Sequence, residues 1–224
     1  MASQLASRIA ALRPFASCDI GDALVKLKYP MGGYLDGISM WSPARQGTGS
    51  AASIVGPAMT VKMVRVSDPS SARPPQHFAD SVSAGEIMYI QQPQGLYSAC
   101  FGGLMATRVS KLGAAGVVLD GRFRDIREIQ QIGLPMFSRG TSILGSNTFT
   151  RASEFNVPLQ FRADLWIHPG DILVGDDDGV VVVPPSLVDQ VVQLCQERKE
   201  IDEKTMQALA DGEAMGPTIA RLRK

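Results

Sequence analysis

Two stretches of the 224-residue chain carry side chains that could do chemistry together: Gly102-Gly103-Leu104-Met105 and, further on, Asp120-Gly-Arg-Phe-Arg124-Asp125-Ile-Arg-Glu128. Paired glycines at the mouth of a helix leave backbone N–H groups without partners and let a ligand approach closely. They make an anion cradle for a phosphate or carboxylate. Arg124 offers a planar fork for bidentate contact with a carboxylate. Asp125 offers hard oxygen for Mg²⁺ or Mn²⁺, cations that take few protein ligands and keep waters. Glu128 falls on the same helical face as Asp125 and could steady a water of such an ion. The competing account is a tight loop-to-helix turn followed by a solvated helix start, with Asp125 as its cap and Arg124 paired to an acid. The upstream glycines weigh for the site.

Other chemistries fail on inventory. With only His77 and His168 and no HExxH, a histidine-rich zinc site has no support, and each histidine reads as a hydrogen-bonded structural residue. Gly140-Thr-Ser-Ile-Leu144 lacks the second glycine of a nucleophile elbow. Gly47-Thr-Gly49-Ser-Ala-Ala52 mimics a dinucleotide fingerprint, but no strand precedes it and a strand follows. In Gly175-Asp-Asp-Asp-Gly179, calcium-loop register would open on Val174, so a tight β-hairpin turn is the better account. Lys62 and Lys111 are the lysines to weigh for a Schiff base, and Lys111 reads as solvated. Twenty-two basic residues balance 22 acidic ones, and the one dense basic cluster is Arg221, Arg223 and Lys224, which argues against nucleic acid as a partner. The three cysteines are scattered and odd in number, as in a reduced cytoplasmic protein. The chain has no apolar run long enough for a signal peptide or a membrane span.

The elements that must position these residues follow from periodicity. Leu5, Ile9 and Leu12 predict a short amphipathic helix, and Ser17 or Asp19 caps a second one running to Leu27. Residues 28–50 form a long loop rich in Gly, Pro, Ser and Tyr. Ser53–Val66 is β-branched and broken by Gly56-Pro57, giving two strands or one bent strand. A Pro-rich loop leads to a strand at Glu86–Gln91, a helix at Gly102–Lys111, a buried strand from Gly116 ending at Asp120-Gly121, a helix at Asp125–Ile132 and a strand at Leu134–Phe137. That alternation marks an α/β unit. Short strands follow at 156–161, 165–168, 171–174 and 180–183, and a long closing helix runs from Leu187 to about Ala210. With aromatics at only 6%, the core must be mainly aliphatic side chains and methionine. One domain over residues 1–224 is expected, because no linker or repeat interrupts it.

At this point the residues resemble a family. Gly103, Arg124-Asp125 and Glu128 match the G-x20-R-D-x2-E/D signature of the class II pyruvate aldolases of the 4-hydroxy-4-methyl-2-oxoglutarate aldolase group, whose fold is shared with the RraA regulator of ribonuclease activity. The likeness extends from Asp19 to about Pro185 and includes Leu112–Gly121, Phe137-Ser-Arg-Gly140 and Pro169–Pro184. The loops before Ser50 and His77 resemble the fungal or other eukaryotic branch. The resemblance implies a layered α/β sandwich with a swivelling β/β/α layer, assembled as homotrimers or homohexamers with active sites between subunits. It implies a divalent metal, Mg²⁺ or Mn²⁺, on Asp125, with Glu128 completing the signature. The backbone of Gly102, Gly103, Leu104 and Met105 would hold the carboxylate of a 2-oxo acid, and Arg124 its keto-acid oxygens. Acids from a neighbouring subunit would support the ion's waters, with Asp22, Glu197 and Glu203 as candidates.

The chemistry expected is retro-aldol cleavage of 4-hydroxy-2-oxo acids, decarboxylation of oxaloacetate, or both, through a pyruvate enolate. A rival of another class is a non-catalytic binding protein like the ribonuclease regulator. Glu128 weighs against it, since regulators of this fold can lack that acid. A third reading keeps fold and metal but acts on a larger β-hydroxy or β-keto acid, in a pocket shaped by Tyr29, Met31, Tyr34, Met40 and Trp41.

Overall fold

The computed structural model describes residues 2–43 and 54–223. Helices α1 (Ala2–Leu12) and α2 (Ser17–Lys26) open the chain, followed by β1 (Ser39–Ser42) and the long β2 (Ile54–Arg65). An alternating run comes next: β3 (Ile87–Gln91), α3 (Gly103–Lys111), β4 (Gly116–Phe123), α4 (Ile126–Ile132) and β5 (Met136–Thr141). Five shorter strands follow, β6 (Thr150–Phe155), β7 (Leu159–Arg162), β8 (Leu165–Ile167), β9 (Ile172–Asp176) and β10 (Gly179–Val183). The chain closes on α5 (Val188–Ala210) and α6 (Met215–Leu222).

Eight strands form one mixed sheet in the order β1-β5-β4-β3-β2-β9-β10, with β6 also paired to β2, while β7 and β8 make a separate ribbon. β2 to β5 run parallel, so their carboxyl ends gather on one side. Tyr34, just ahead of β1, bridges Val181 of β10, which leaves the sheet nearly closed and barrel-like. This mixed α/β architecture agrees with the predicted class.

Alternation along the strands feeds two cores. Met88 and Ile90 of β3 join Val117 and Leu119 of β4 against α3 and α4, whereas Ile87, Tyr89 and Val118 point into a second core shared with Leu159 and Leu165. A third cluster packs Ile20, Leu24, Val191 and Cys195 of α2 and α5 on Val181 and Val183. Strands buried on both faces have no polar side to alternate with, which is why Val180–Val183 reads as an unbroken apolar run.

Several boundaries differ from the sequence expectation, each for a tertiary reason. Gly56-Pro57 does not divide β2; it is where the strand changes neighbour, pairing with β9 up to Pro57 and with β3 from Ala58. β4 continues through Asp120-Gly121 to Phe123, because Arg122 and Phe123 still pair with Gly140 and Thr141 of β5. β1, β6 and α6 lack a strong periodic signal and were not expected. Ser17 does not cap α2: its hydroxyl and N–H both go to Asp176, while Asp19 accepts from Ala16 N–H at 3.2 Å. The acidic turn is a hairpin, with Asp176 opposite Gly179. The fingerprint-like Gly47–Ala52 lies outside the described residues.

Candidate active site

The site is assembled where the loop before α3 runs beside the end of β4. Cys100 N–H donates to the Arg122 carbonyl at 2.9 Å, and Arg124 N–H donates to the Phe101 carbonyl at 3.1 Å. This short parallel ladder presses Gly102-Gly103 against Arg124-Asp125. A methyl group on Gly102 would stand 2.7 Å from Asp125 Oδ2 and 3.2 Å from Arg124 Cγ; one on Gly103 would collide with Glu128 Oε2. The glycines therefore make room for the acids as well as baring the amides.

Asp125 sits at the N-cap position of α4 with φ 65° and ψ 45°, in the left-handed region that few non-glycine residues occupy. Its carboxylate does not cap its own helix. Oδ2 instead accepts the Gly103 N–H at 2.9 Å and lies 3.5 Å from Arg124 Nε. The reading of Asp125 as a simple helix cap therefore fails. Gly103 spends its N–H on that carboxylate, so among Gly102–Met105 the amides of Gly102, Leu104 and Met105 are left without a protein acceptor among the described residues.

Two adjoining cavities share Arg124 and Asp125. One, of ≈ 460 Å³, is lined by Gly102–Met105 and by the loop Leu144–Phe149. The other, of ≈ 600 Å³, is lined by Arg127, Glu128 and Thr141–Ile143. The structure thus brings all seven residues singled out from sequence to one place. It adds Leu144–Phe149, whose Gly145 would hold a methyl 3.2 Å from Arg124 Nη1. Nothing in the residue types of that loop announced its position. Cys100 also lines the first cavity, but burial pushes its thiol up to about 12, so it stays protonated and is no thiolate nucleophile.

Other expectations do not meet at the site. Tyr29, Met31, Tyr34, Met40 and Trp41 line neither cavity. Met40 and Trp41 pack into the core, with Trp41 Nε1 donating to the Ser138 carbonyl, and Met31 and Tyr34 border a separate cavity beside α2. Lys62 is paired with Glu154 at 2.5 Å and Lys111 is exposed. His77 accepts from Ala79 N–H, and His168 hydrogen-bonds Asp171. Asp22, Glu197 and Glu203 line neither cavity in this chain.

Among the described residues, no three His, Cys, Asp or Glu side chains converge, so a closed protein cage such as tetrahedral zinc does not fit. A hard ion that keeps most of its water does. Asp125 Oδ1 and the whole Glu128 carboxylate have no hydrogen-bond or ion-pair partner among the described residues, which leaves hard oxygens facing the cavity.

Comparison with known proteins places the chain in a lineage. A protein of Halalkalibacterium halodurans named "Putative 4-hydroxy-4-methyl-2-oxoglutarate aldolase" is 32% identical over 177 residues, covering 79% of this chain and 81% of that protein. A protein of the same name from Albidiferax ferrireducens is 29% identical over 183 residues, covering 78% of this chain and 98% of the relative. The crystal structure of an uncharacterized Pseudomonas syringae protein superposes with a TM-score of 0.79 at 25% identity, covering 95% of this chain and 96% of the other. Streptomyces coelicolor RraAS2, described as an unusual member of the RNase ES inhibitor RraA protein family, shares the fold at 23% identity and TM-score 0.76, covering 90% of this chain and 97% of the other. The family model described as RraA-like, Aldolase/RraA, matches residues 17–182, and on that match the chain belongs to the RraA-like family.

Proposed function

We propose that this protein is a divalent-metal-dependent carbon–carbon lyase that acts on pyruvoyl substrates. It would cleave 4-hydroxy-2-oxo acids by retro-aldol reaction, decarboxylate oxaloacetate, or do both. One observation carries the reading: Arg124 and Asp125 line both of two adjoining cavities, one bordered by helix amides unpartnered among the described residues and the other by Glu128. The relatives named as aldolases support the same chemistry.

Each part has a task. The Leu104 and Met105 N–H groups would receive the substrate carboxylate at the positive end of α3. Arg124 would hold the carboxylate and keto oxygens in one plane and stay beside the keto oxygen as it gains charge in the enolate. Asp125 would hold Mg²⁺ or Mn²⁺, which when bound supplies further stabilisation of that charge. Glu128, which has no protein partner among the described residues, would take the C4 hydroxyl proton in aldol cleavage. Decarboxylation asks for no base in its bond-breaking step and is the less demanding reaction. No lysine is needed, in keeping with the Lys62–Glu154 pair.

We infer a homo-oligomer from the rim: Leu104 is 90% and Ile143 93% exposed, and bare apolar side chains of this size beside a cavity suit a second copy, with a trimer or hexamer expected from the family resemblance. Among the described residues no helix is long and apolar enough to cross a membrane. The test is pyruvate release from oxaloacetate and from several 4-hydroxy-2-oxo acids, with and without EDTA. Arg124→Ala and Asp125→Ala should each lower Mg²⁺-dependent decarboxylation at least about a hundredfold, the order expected for losing a main charge stabiliser. Unchanged rates in either variant would defeat the assignment. EDTA-insensitive release would defeat the metal.

A further inference from the structure

Asp120 and Arg139 follow Val118 and Phe137 by two residues on β4 and β5, so they share the face of the sheet turned away from α3 and α4. There Arg122, Arg139 and Arg162 line a cleft of ≈ 550 Å³, together with the segment Gln92–Tyr97 and a single acid, Asp120. Neither Arg124 nor Asp125 borders it. Asp120 is spent on Arg139, and Arg162 is paired with Asp36. Arg122 has no carboxylate partner: among the described residues its guanidinium makes one hydrogen bond, from Nη1 to the Thr141 carbonyl at 3.0 Å. Three guanidinium groups against two carboxylates leave a surplus positive charge. Arg65 adds another at the rim, where its Nη2 donates to the Gln94 carbonyl at 3.5 Å. Beside these cations Tyr97 is 62% exposed, a large ring left bare and steadied edge-to-face by Phe149 at 5.4 Å.

We propose that this cleft is a second ligand site, separate from the lyase centre, that takes a phosphate monoester carrying a planar ring. Two guanidinium forks offer more than one carboxylate can use, whereas a phosphate dianion presents three acceptor oxygens and about twice the charge. The phosphate lies on Arg122 and Arg162, whose Nε and Nη2 groups have no acceptor among the described residues. Arg139, held by Asp120 and by the Asp36 carbonyl at 3.0 Å, is the fixed wall behind it, and the ring lies against Tyr97. None of the residues lining this cleft borders the two catalytic cavities, so the site does not depend on the lyase reading.

The experiment is calorimetric titration of the full chain, in EDTA at about pH 8 where the phosphates are dianions, with phenyl phosphate, inorganic phosphate and benzoate. The wild type should bind phenyl phosphate at least about tenfold more tightly than benzoate and about threefold more tightly than inorganic phosphate, the ranges of a charge-assisted hydrogen bond and of an aromatic contact. Arg122→Ala should weaken phenyl phosphate at least about tenfold. Tyr97→Ala should weaken it about threefold and leave inorganic phosphate within about twofold. Arg124→Ala, which alters the anion-binding side of the catalytic cavity, should change neither. Both Arg122 and Tyr97 are exposed, and melting curves establish that each variant is folded. Binding of phenyl phosphate that is absent, no tighter than that of benzoate, undiminished in Arg122→Ala or lost in Arg124→Ala overturns the proposal. An unaltered affinity in Tyr97→Ala overturns the placement of the ring.

Discussion

Asp125 occupies a left-handed backbone conformation in order to face away from its own helix and toward Gly103. That costs on the order of 1–3 kcal/mol and persists only where the surroundings enforce it, which is the usual mark of a working residue. Gly103 is the other half of the arrangement, since any Cβ there would strike Glu128. The atom struck is the far end of a flexible side chain, so the fold can yield. Gly103→Ala should therefore cost little stability, within about 1 kcal/mol, because alanine suits the first turn of a helix better than glycine. It should nonetheless lower decarboxylase and aldolase turnover at least about tenfold, since the carboxylate is driven off its position. Melting temperature and initial rates on the same preparation check both halves, and a fully active Gly103→Ala would show that Glu128 has no fixed role.

Among the elements, the segment from Gln92 to Gly102 decides where the amides point. Gln92 is buried and clamps it: Nε2 donates to the Ser98 carbonyl at 2.9 Å, and Oε1 accepts the Arg122 N–H at 3.0 Å. The clamp needs Gly121, where a Cβ would stand 2.6 Å from Gln92 Oε1. Asp-Gly is an ordinary turn signal, so the sequence predicts that the strand stops there. In the folded chain the same glycine lets the glutamine that follows the neighbouring strand close in, and β4 carries on to deliver Arg124. Gln92→Ala strands two backbone groups and opens a cavity, costing about 2–4 kcal/mol. Amide exchange over residues 93–101 should quicken in that variant more than exchange in β9 and β10. Uniform quickening would mean that the clamp supports the whole fold and has no special hold on the segment.

Across the whole molecule, the sheet is held together by polar groups that periodicity does not reveal. Arg139 pairs with the buried Asp120, Arg162 pairs with Asp36, and both guanidinium groups lie over Phe161, at 5.2 and 5.5 Å from its centroid. Asp171 joins β2 to β9: its carbonyl accepts Ala58 N–H at 2.7 Å and its carboxylate accepts His168 N–H at 2.8 Å. Burial, partly offset by His168, raises the Asp171 pKa above the ordinary carboxylate range. A raised native pKa favours folding below the unfolded value, and that contribution is lost as pH rises through the native one. Asp171→Asn, which can still accept the His168 N–H, has no such dependence. Relative to that variant, the wild type should lose stability as pH rises from the ordinary carboxylate value through the raised one, then hold a constant difference. Urea titrations from pH 4 to 7 measure it, and a pH-independent difference would show that burial of the charge is immaterial.

Sequence by itself set the expectation for the chemistry: residue types at fixed spacing named the arginine, the acids and the glycines as candidates, and apolar runs named most strands and helices, because both signals are local. It also fixed the acidic hairpin turn, whose backbone angles depend on its own residues. Only the tertiary structure decided that Asp125 serves the neighbouring helix, that β4 outlasts its turn signal and that Leu144–Phe149 walls the cavity. Each of those depends on contacts between segments far apart in the chain, where the energy of a close approach outweighs the preference of any one residue.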